Sequence, residues 1–143
     1  MRRLTRGLAT VPGPWAHTYT ARTKAELAAA YQRWAPSYDA DSVGAWGYAA
    51  PAACAAALAR HVPDRDARVL DAGAGTGLVG LALAERHGFR RLCALDLSPH
   101  MLDECAAKAV RGAPVYEQLV EADLEDLGAL VARGGGGGGG GAF

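Results

Sequence analysis

A glycine-rich stretch, VLDAGAGTGLVG at residues 69–80, has the residue types that bind nucleotide-like ligands. Read from Gly75, it contains Gly75-x-Gly77-x-x-Gly80, the spacing of a dinucleotide-binding turn that places a pyrophosphate at a helix N-terminus. Read from Asp71, it contains an acidic residue followed by glycines at alternate positions. A carboxylate before the turn repels a pyrophosphate and attracts an ammonium group. The charge pattern therefore favours S-adenosylmethionine (SAM), which carries an amino group, a sulfonium centre and no phosphate, over NAD.

Two further acidic residues follow the glycine-rich stretch. Asp96 comes 19 residues after Gly77, at the end of a second apolar run, where a carboxylate can accept hydrogen bonds from both ribose hydroxyls. Asp123, in EADL after a third run, could accept from an adenine amino group. Apolar side chains that could sandwich the adenine ring stand nearby: Leu97, Met101 and Leu124. Each assignment has a structural alternative, since Asp71 or Asp123 could cap a helix and Met101 could belong to the core.

The elements that must position these residues follow from apolar patterning and turn signals. RVLDA, RLCALDL and YEQLVEADL are short apolar runs bounded by charge or glycine, which predicts three buried strands. Helices are predicted for residues 78–87, ending at Gly88, and after Ser98 as N-cap with Pro99 as the first helical residue. Strands that alternate with helices predict an α/β fold with a parallel sheet. The three acids then stand at the carboxyl ends of adjacent strands, where such sheets bind ligands.

Two helices are predicted before the first strand. Thr23 and Glu26 form a capping box, and Pro36 is expected to end the helix that this box begins. An aromatic loop is predicted for residues 37–48. Pro51 fits the first turn of a second, alanine-rich helix.

In series, these motifs resemble the class I SAM-dependent methyltransferases. VLDAGAGTG is similar to the first motif of that superfamily, LDLSPHML to the second and EADL to the third. Upstream, YQRWAPSYDADSVGAWGYAAP resembles the Y-x-R-W-A-P-x-Y-D lead-in of the Williams–Beuren region methyltransferase-like proteins. The resemblance covers residues 27 to about 127, and it implies a Rossmann-like parallel sheet of seven strands with SAM as the cofactor.

The resemblance also implies a role for each part of the site. The methionine end of SAM would lie at residues 71–77, the ribose at Asp96 and the adenine at Asp123, while Tyr38 would close over the cofactor near its methyl group. Tyr31 and Trp34 would help to form this lid, or these aromatics would only pack the first helix onto the sheet. The implied cofactor-binding residues are Asp71, Ala72, Gly73, Ala74, Gly75, Thr76, Gly77, Asp96, Leu97, Met101, Asp123, Leu124 and Tyr38.

The seven-stranded pattern continues only as far as its third strand in this sequence. Beyond Leu127 the chain soon reaches a run of glycines at residues 134–141. We therefore expect a C-terminally truncated methyltransferase that retains the N-terminal, three-stranded half of the fold. Its first strand would form an exposed edge, open to a partner, and its stability would be marginal. The expected organisation is a disordered basic tail at 1–22, a partial methyltransferase domain at 23–130 and a disordered glycine-rich tail at 131–143.

The composition limits which binding partners and which cellular compartment we expect. The net charge is zero, and no basic, aromatic face is apparent, which argues against nucleic acid. No apolar run of about 18 residues predicts a membrane span. The three cysteines have neither disulfide nor zinc spacing, so no metal is expected and a reducing compartment is indicated. We expect a cytoplasmic protein, with mitochondrial import as the alternative because the first residues are rich in arginine and lack acids.

Three functions remain open at this stage. The first is methyl transfer from SAM to an unidentified small-molecule or protein acceptor, with activity impaired by truncation. The second is a non-catalytic SAM-binding or partner-binding module, and the third is an NAD-linked oxidoreductase. No catalytic base is assigned, because methyl transfer mainly requires positioning of the acceptor and exclusion of water.

Overall fold

A computed structural model of the chain describes residues 13–126 and 128, and it has the α/β fold that the sequence predicts. The strands are β1 (Arg68–Ala72), β2 (Arg91–Asp96), β3 (Ala109–Val110), β4 (Ala113–Pro114) and β5 (Gln118–Glu121). Strands β1, β2 and β5 form a parallel sheet in that order. The register pairs Asp71 with Ala94 and Asp96 with Glu121, so the acidic ends of the strands meet at one edge. Within the described residues, β1 and β5 each pair with β2 alone, so both are edge strands.

Helices flank this sheet. They are α1 (Ala16–Thr20), α2 (Lys24–Asp39), α3 (Ala50–His61), α4 (Leu78–His87) and α5 (Pro99–Ala106), together with a π-helix at Ala40–Ala45 and a 3-10 turn at Leu124–Asp126. A shared core forms where α3, α4 and α5 meet β2, and it includes Ala55, Leu83, Phe89, Leu92, Ala94 and Leu102. No helix in residues 13–126 is both long enough and apolar enough to cross a membrane.

Local capping signals set several helix boundaries as predicted. The Thr23 hydroxyl accepts from the Glu26 N–H at 3.1 Å, which begins α2. The Glu26 carboxylate in turn accepts from the Arg22 N–H at 2.7 Å, one residue before the usual capping-box partner. The Ser98 hydroxyl caps α5, and Gly88 ends α4 with a φ of 75°, a left-handed conformation that glycine adopts readily.

The prediction that Pro36 ends the first helix is wrong. Helix α2 continues to Asp39 and runs directly into the π-helix, so the loop predicted for residues 37–48 is largely helical. Side-chain hydrogen bonds within this segment hold the continuation. The Trp34 indole N–H and the Ser37 hydroxyl both donate to Asp41 Oδ2, at 2.9 and 3.0 Å, and these bonds hold the turns that follow the proline.

Two further differences concern short elements. Ala16–Thr20, within the predicted N-terminal tail, forms helix α1, and the neighbouring Trp15 packs edge-on against Trp46 with ring centroids 5.0 Å apart. Residues 1–12 and 131–143, the other predicted tails, lie outside the described residues. The hairpin of β3 and β4 was not predicted. Its two turn residues, Arg111 and Gly112, have φ values of 53° and 83°, as a type I′ turn requires.

Candidate functional site

The glycine-rich turn between β1 and α4 directs its backbone donors inward. The N–H groups of Gly73 and Ala74 donate to the carbonyl of the Leu95 peptide in β2, and Gly77 N–H donates to the Ala74 carbonyl at 2.9 Å. Gly75 N–H donates to a carboxylate oxygen of β2 at 2.8 Å. These four donors are satisfied inside the protein, so they do not form a row of N–H groups that could hold a phosphate.

The carboxylate that accepts the hydrogen bond from Gly75 N–H belongs to Asp96, at the end of β2. Its Oδ2 accepts from Gly75 N–H at 2.8 Å, and its Oδ1 accepts from Ser98 N–H at 2.9 Å. A carboxylate offers about four acceptor sites, so each oxygen keeps one site for another donor. Two backbone bonds therefore fix Asp96 while it can still accept from a pair of hydroxyls.

A cavity of about 250 Å³ opens beside Asp96 at the carboxyl edge of the sheet. Its walls come from the glycine-rich turn, β2, α5 and α2, through Tyr31, Tyr38, Gly73, Gly75, Asp96 and Met101. Asp96 is the one charged residue in this lining. A Cβ on Gly75, where φ is +56°, would meet no protein atom within 4 Å, so this glycine faces open space. The lining suits a neutral or cationic ligand better than an anionic one.

Asp71 does not line this cavity. Its Oδ2 accepts from the Tyr116 hydroxyl at 2.7 Å and from the Gly80 N–H, in the first turn of α4, at 3.2 Å. Burial raises the pKa of Asp71, although the two hydrogen bonds oppose this rise. The geometry agrees with the alternative that Asp71 caps α4, and it places the carboxylate against that helix instead of in the cavity.

Tyr116 is a site residue that sequence reasoning missed. The side chain is buried, and burial together with the Asp71 charge raises the pKa of its hydroxyl. A Cβ on Gly77 would lie 2.9 Å from Tyr116 Cε2, and one on Gly80 would overlap the ring. Gly80 is therefore a packing position against the Tyr116 ring. A single tyrosine before a predicted strand forms no sequence pattern from which this contact could be predicted.

A second group that the sequence did not predict joins α2 to the turn. Asp39 Oδ1 accepts from the Thr76 hydroxyl at 2.5 Å, and Lys108 Nζ donates to Asp39 Oδ2 at 2.7 Å. Thr76 is 1% exposed. Its side chain bonds to α2 and does not line the cavity. Cys105 supports the same turn, because its Sγ donates to the Gly75 carbonyl at 3.1 Å; burial raises its pKa to about 12.

The aromatic residues of α2 form the outer wall of the cavity. Tyr31 and Tyr38 both line it, and burial raises the pKa of each hydroxyl. Trp34 is 6% exposed and packs between them, with its ring 6.3 Å from Tyr31 and 4.5 Å from Tyr38. A second cavity of about 350 Å³ adjoins the first through the same two tyrosines, and aromatic side chains that include Trp46 and Tyr48 line it.

The residues expected at the adenine end are brought together only in part. Met101 lines the cavity, whereas Leu97 and Leu124 are partly exposed and do not. Leu124 lies over the turn, because a Cβ on Gly73 would be 3.7 Å from its Cδ1. Asp123 Oδ1 accepts from the Glu125 N–H at 2.9 Å, which agrees with its capping alternative.

The other oxygen of Asp123 also has a donor. Lys24 Nζ lies 2.6 Å from Asp123 Oδ2 and 2.6 Å from Glu125 Oε2. The Lys24 ammonium holds the pKa of Asp123 below its usual value, and the two carboxylates raise the pKa of Lys24. Among the described residues, no cluster of three or more histidine, cysteine or acidic side chains is arranged to hold a metal ion.

Comparison with known proteins finds similarity to methyltransferases over part of the chain. Residues 69–133 match the family described as a methyltransferase domain. Methyltransferase-like protein 27 from Homo sapiens is 40% identical over 79 residues, which cover 54% of this chain and 31% of the human protein. The chloroplastic 2-methyl-6-phytyl-1,4-hydroquinone methyltransferase from Arabidopsis thaliana is 41% identical over 63 residues, which cover 43% of this chain and 18% of the plant protein. The matched region thus spans less than a third of either relative, and no solved structure matches significantly.

Proposed function

Because these matches support a class I SAM-dependent methyltransferase, we propose that the chain binds SAM at the carboxyl edge of its sheet for methyl transfer to an acceptor. One observation carries the proposal: Asp96, Gly75 and Tyr38, on three different elements, line the same cavity. They are also among the residues that the motif resemblance implies for SAM.

The lining residues fit a nucleoside. Asp96 keeps one acceptor site on each oxygen, which suits the two ribose hydroxyls. Met101 offers an apolar surface for the base, and Gly75 leaves space beside the turn. The cavity of about 250 Å³ is slightly smaller than the range of roughly 300–1,000 Å³ typical of small-molecule sites. We therefore expect its walls to move apart when the nucleoside enters.

The same residues favour SAM over NAD. Binding of a pyrophosphate needs free backbone N–H groups or cations. In the turn, the backbone N–H groups already donate hydrogen bonds within the protein, at Gly73, Ala74, Gly75 and Gly77. The charged residue in the lining, Asp96, is an acid. Asp71 points away from the cavity, and an acid at the position of Asp96 suits the ribose of either cofactor. The preference for SAM over NAD therefore rests on the internal hydrogen bonds of the glycine-rich turn.

Bound SAM would supply a methyl group on a positively charged sulfur, which leaves with the electron pair of the carbon–sulfur bond. The chain's own residues position and shield this group. Asp96 fixes the ribose, and Tyr31 and Tyr38 cover the cavity and exclude water. Since these tyrosines also line the aromatic cavity, we propose that the acceptor, a small molecule or a protein side chain, approaches from that side.

A pair of glycine substitutions tests the proposed site. Gly75→Ala is expected to weaken SAM binding by roughly tenfold or more, because the new methyl group enters the cavity. Gly88→Ala is the matched control, since φ is +56° at Gly75 and +75° at Gly88, and an added Cβ meets no atom within 4 Å at either. Both variants should lose about 1 kcal/mol of stability from backbone strain. Calorimetric titration with SAM and urea unfolding measure the two effects.

Equal SAM affinities for the two folded variants would contradict the assignment of the cavity. A radiolabelled methyl-transfer assay on the same chain then separates the enzyme from the non-catalytic alternative. Transfer of label to an acceptor supports the methyltransferase, whereas SAM binding without transfer supports a binding module.

A further inference from the structure

Aromatic side chains form most of the wall of the aromatic cavity, the second of the two adjoining cavities. It has a volume of about 350 Å³ and shares Tyr31 and Tyr38 with the cavity beside Asp96. The described residues that line it are uncharged: Thr18, Tyr19, Tyr31, Trp34, Tyr38, Ser42, Trp46 and Tyr48. Most of these are tyrosine or tryptophan, so a ligand in this cavity contacts mainly aromatic rings.

The rings of the aromatic cavity are inclined to one another around Trp34, which is 6% exposed. The ring planes of Tyr38 and Trp46 make angles of 54° and 53° with that of Trp34, and their centroids lie 4.5 and 5.9 Å from it. On the outer side, Trp46 and Tyr48 are about half exposed and remain open to a ligand. A cation in the cavity can therefore lie within about 6 Å of several ring centroids at once, the distance at which a ring attracts a cation.

Two carboxylates near these rings accept hydrogen bonds from neutral donors in the described part of the chain. Asp41 accepts from the Trp34 indole N–H and the Ser37 hydroxyl, and Asp96 accepts from backbone N–H groups. Burial raises the pKa of the Tyr31 hydroxyl, and the Asp96 charge adds to this rise, so the negative potential of Asp96 reaches the wall between the two cavities. Both carboxylates add to the attraction that the ring faces exert on a cation.

Other classes of ligand fit this lining less well. An anion would meet ring faces and negative potential, and the described lining residues include no lysine, arginine or histidine to hold it. A neutral apolar group would gain only the burial of its surface. An ammonium group with alkyl substituents gains the same burial and, in addition, the attraction of the rings.

We propose that the aromatic cavity binds an alkylated ammonium group. Because Tyr31 and Tyr38 line both cavities, this group would lie beside the proposed SAM site. The methyl acceptor is then an amine, and this assignment of the acceptor rests on the proposed function. Binding of the ammonium group itself rests on the aromatic cavity alone.

Methyl transfer to an amine agrees with the charge distribution of the two cavities. The nitrogen lone pair of the neutral amine forms the bond to the methyl carbon, and the electron pair of the broken carbon–sulfur bond stays on sulfur. The positive charge thus moves from sulfur to nitrogen. The rings of Trp34 and Trp46 stabilise the charge that develops on nitrogen and that remains in the alkylammonium product.

Two ligands of the same shape test whether the cavity requires a cation. They are choline and its carbon isostere, a neutral alcohol in which a carbon atom replaces the nitrogen. We expect choline to bind at least about 5-fold more tightly than the isostere, because several rings attract its charge. Tryptophan fluorescence follows both titrations, since Trp34 and Trp46 line the cavity. A short peptide that contains trimethyl-lysine carries the same group as choline, and the tighter ligand of the two distinguishes a protein side chain from a free amine.

Two substitutions of Tyr48 form a matched pair for the same titrations. Tyr48 is 47% exposed, so we expect both variants to fold, and circular dichroism checks this. Tyr48→Leu keeps an apolar side chain but removes a ring face, so choline should bind about 3-fold more weakly and the isostere should be little affected. Tyr48→Phe keeps the ring face and should retain the affinity for choline.

The outcomes separate this inference from the proposed function. Equal or tighter binding of the neutral isostere, binding of neither ligand, or equal losses of choline affinity in Tyr48→Leu and Tyr48→Phe would overturn the ammonium site and leave the SAM site standing. Choline binding by a folded chain that does not bind SAM would support the ammonium site. The same result would overturn the proposed function, and the assignment of an amine acceptor with it.

Discussion

Gly80→Ala is expected to destabilise the fold by about 3 kcal/mol, through overpacking against a buried ring. A Cβ at this position would lie 2.7 Å from Tyr116 Cε1 and closer still to the end of the ring. Tyr116 has little room to move, because it is 8% exposed and its hydroxyl donates to Asp71 at 2.7 Å. Urea unfolding monitored by circular dichroism measures the change in the free energy of unfolding.

Gly44→Ala is the control for this effect. Gly44 is also a helical glycine, but a Cβ there meets nothing within 4 Å, so Gly44→Ala should leave stability unchanged or raise it by up to about 1 kcal/mol. Tyr116→Val should recover part of the stability lost in Gly80→Ala, which a double-mutant cycle detects as coupling. Additive effects of the two substitutions would contradict the packing described for the turn.

Asp96→Ala is expected to abolish measurable SAM binding, with affinity at least about 100-fold weaker. The substitution removes the carboxylate proposed for the ribose, and it also removes the acceptor of Gly75 N–H, which holds the turn. Ser98 N–H loses its partner as well, so the free energy of unfolding should fall by roughly 2 kcal/mol. Calorimetry with SAM and urea unfolding report the two effects independently.

Asp103→Ala is the matched control, since it removes one acid from α5 whose side chain is 80% exposed. It should change neither SAM affinity nor stability appreciably. If folded Asp96→Ala binds SAM within about threefold of the Asp103→Ala variant, then Asp96 does not hold the ribose.

Much of the sheet and its connections could be predicted because the signals are local. RVLDA is a continuous apolar run between charged residues and glycine, and it forms β1 as Arg68–Ala72. The helix predicted at residues 78–87 has the same bounds in the structure, because Gly77 and Gly88 adopt left-handed conformations at its two ends. Strands that alternate with helices then placed Asp96 at the carboxyl edge of a parallel sheet.

The side-chain pairings of the site could not be predicted, because they join residues far apart in the sequence. Lys24 reaches Asp123, Asp39 reaches Thr76, and Tyr116 reaches Asp71. Local periodicity predicts which face of a helix or strand a residue occupies, but it does not predict which distant side chain packs against that face. For this reason the sequence placed Asp71 beside the ligand, whereas the structure directs it to α4.

The end of the first helix was missed for a different reason, because the bonds that hold it are local but not part of a standard capping pattern. Pro36 removes a backbone donor, which locally favours a break. The bonds from Trp34 and Ser37 to Asp41 hold the following turns, so α2 extends to Asp39. This extension brings Tyr38 to the cavity and Asp39 to the glycine-rich turn.

Parallel calorimetric titrations of the wild-type chain with SAM and with NAD test the central claim most directly. The proposal is that the glycine-rich turn, Asp96 and the tyrosines of α2 bind SAM. It predicts saturable binding of SAM at one site per chain and no measurable binding of NAD at the same concentrations. Binding of NAD without binding of SAM would contradict the proposal and would favour the oxidoreductase interpretation of Gly75, Gly77 and Gly80.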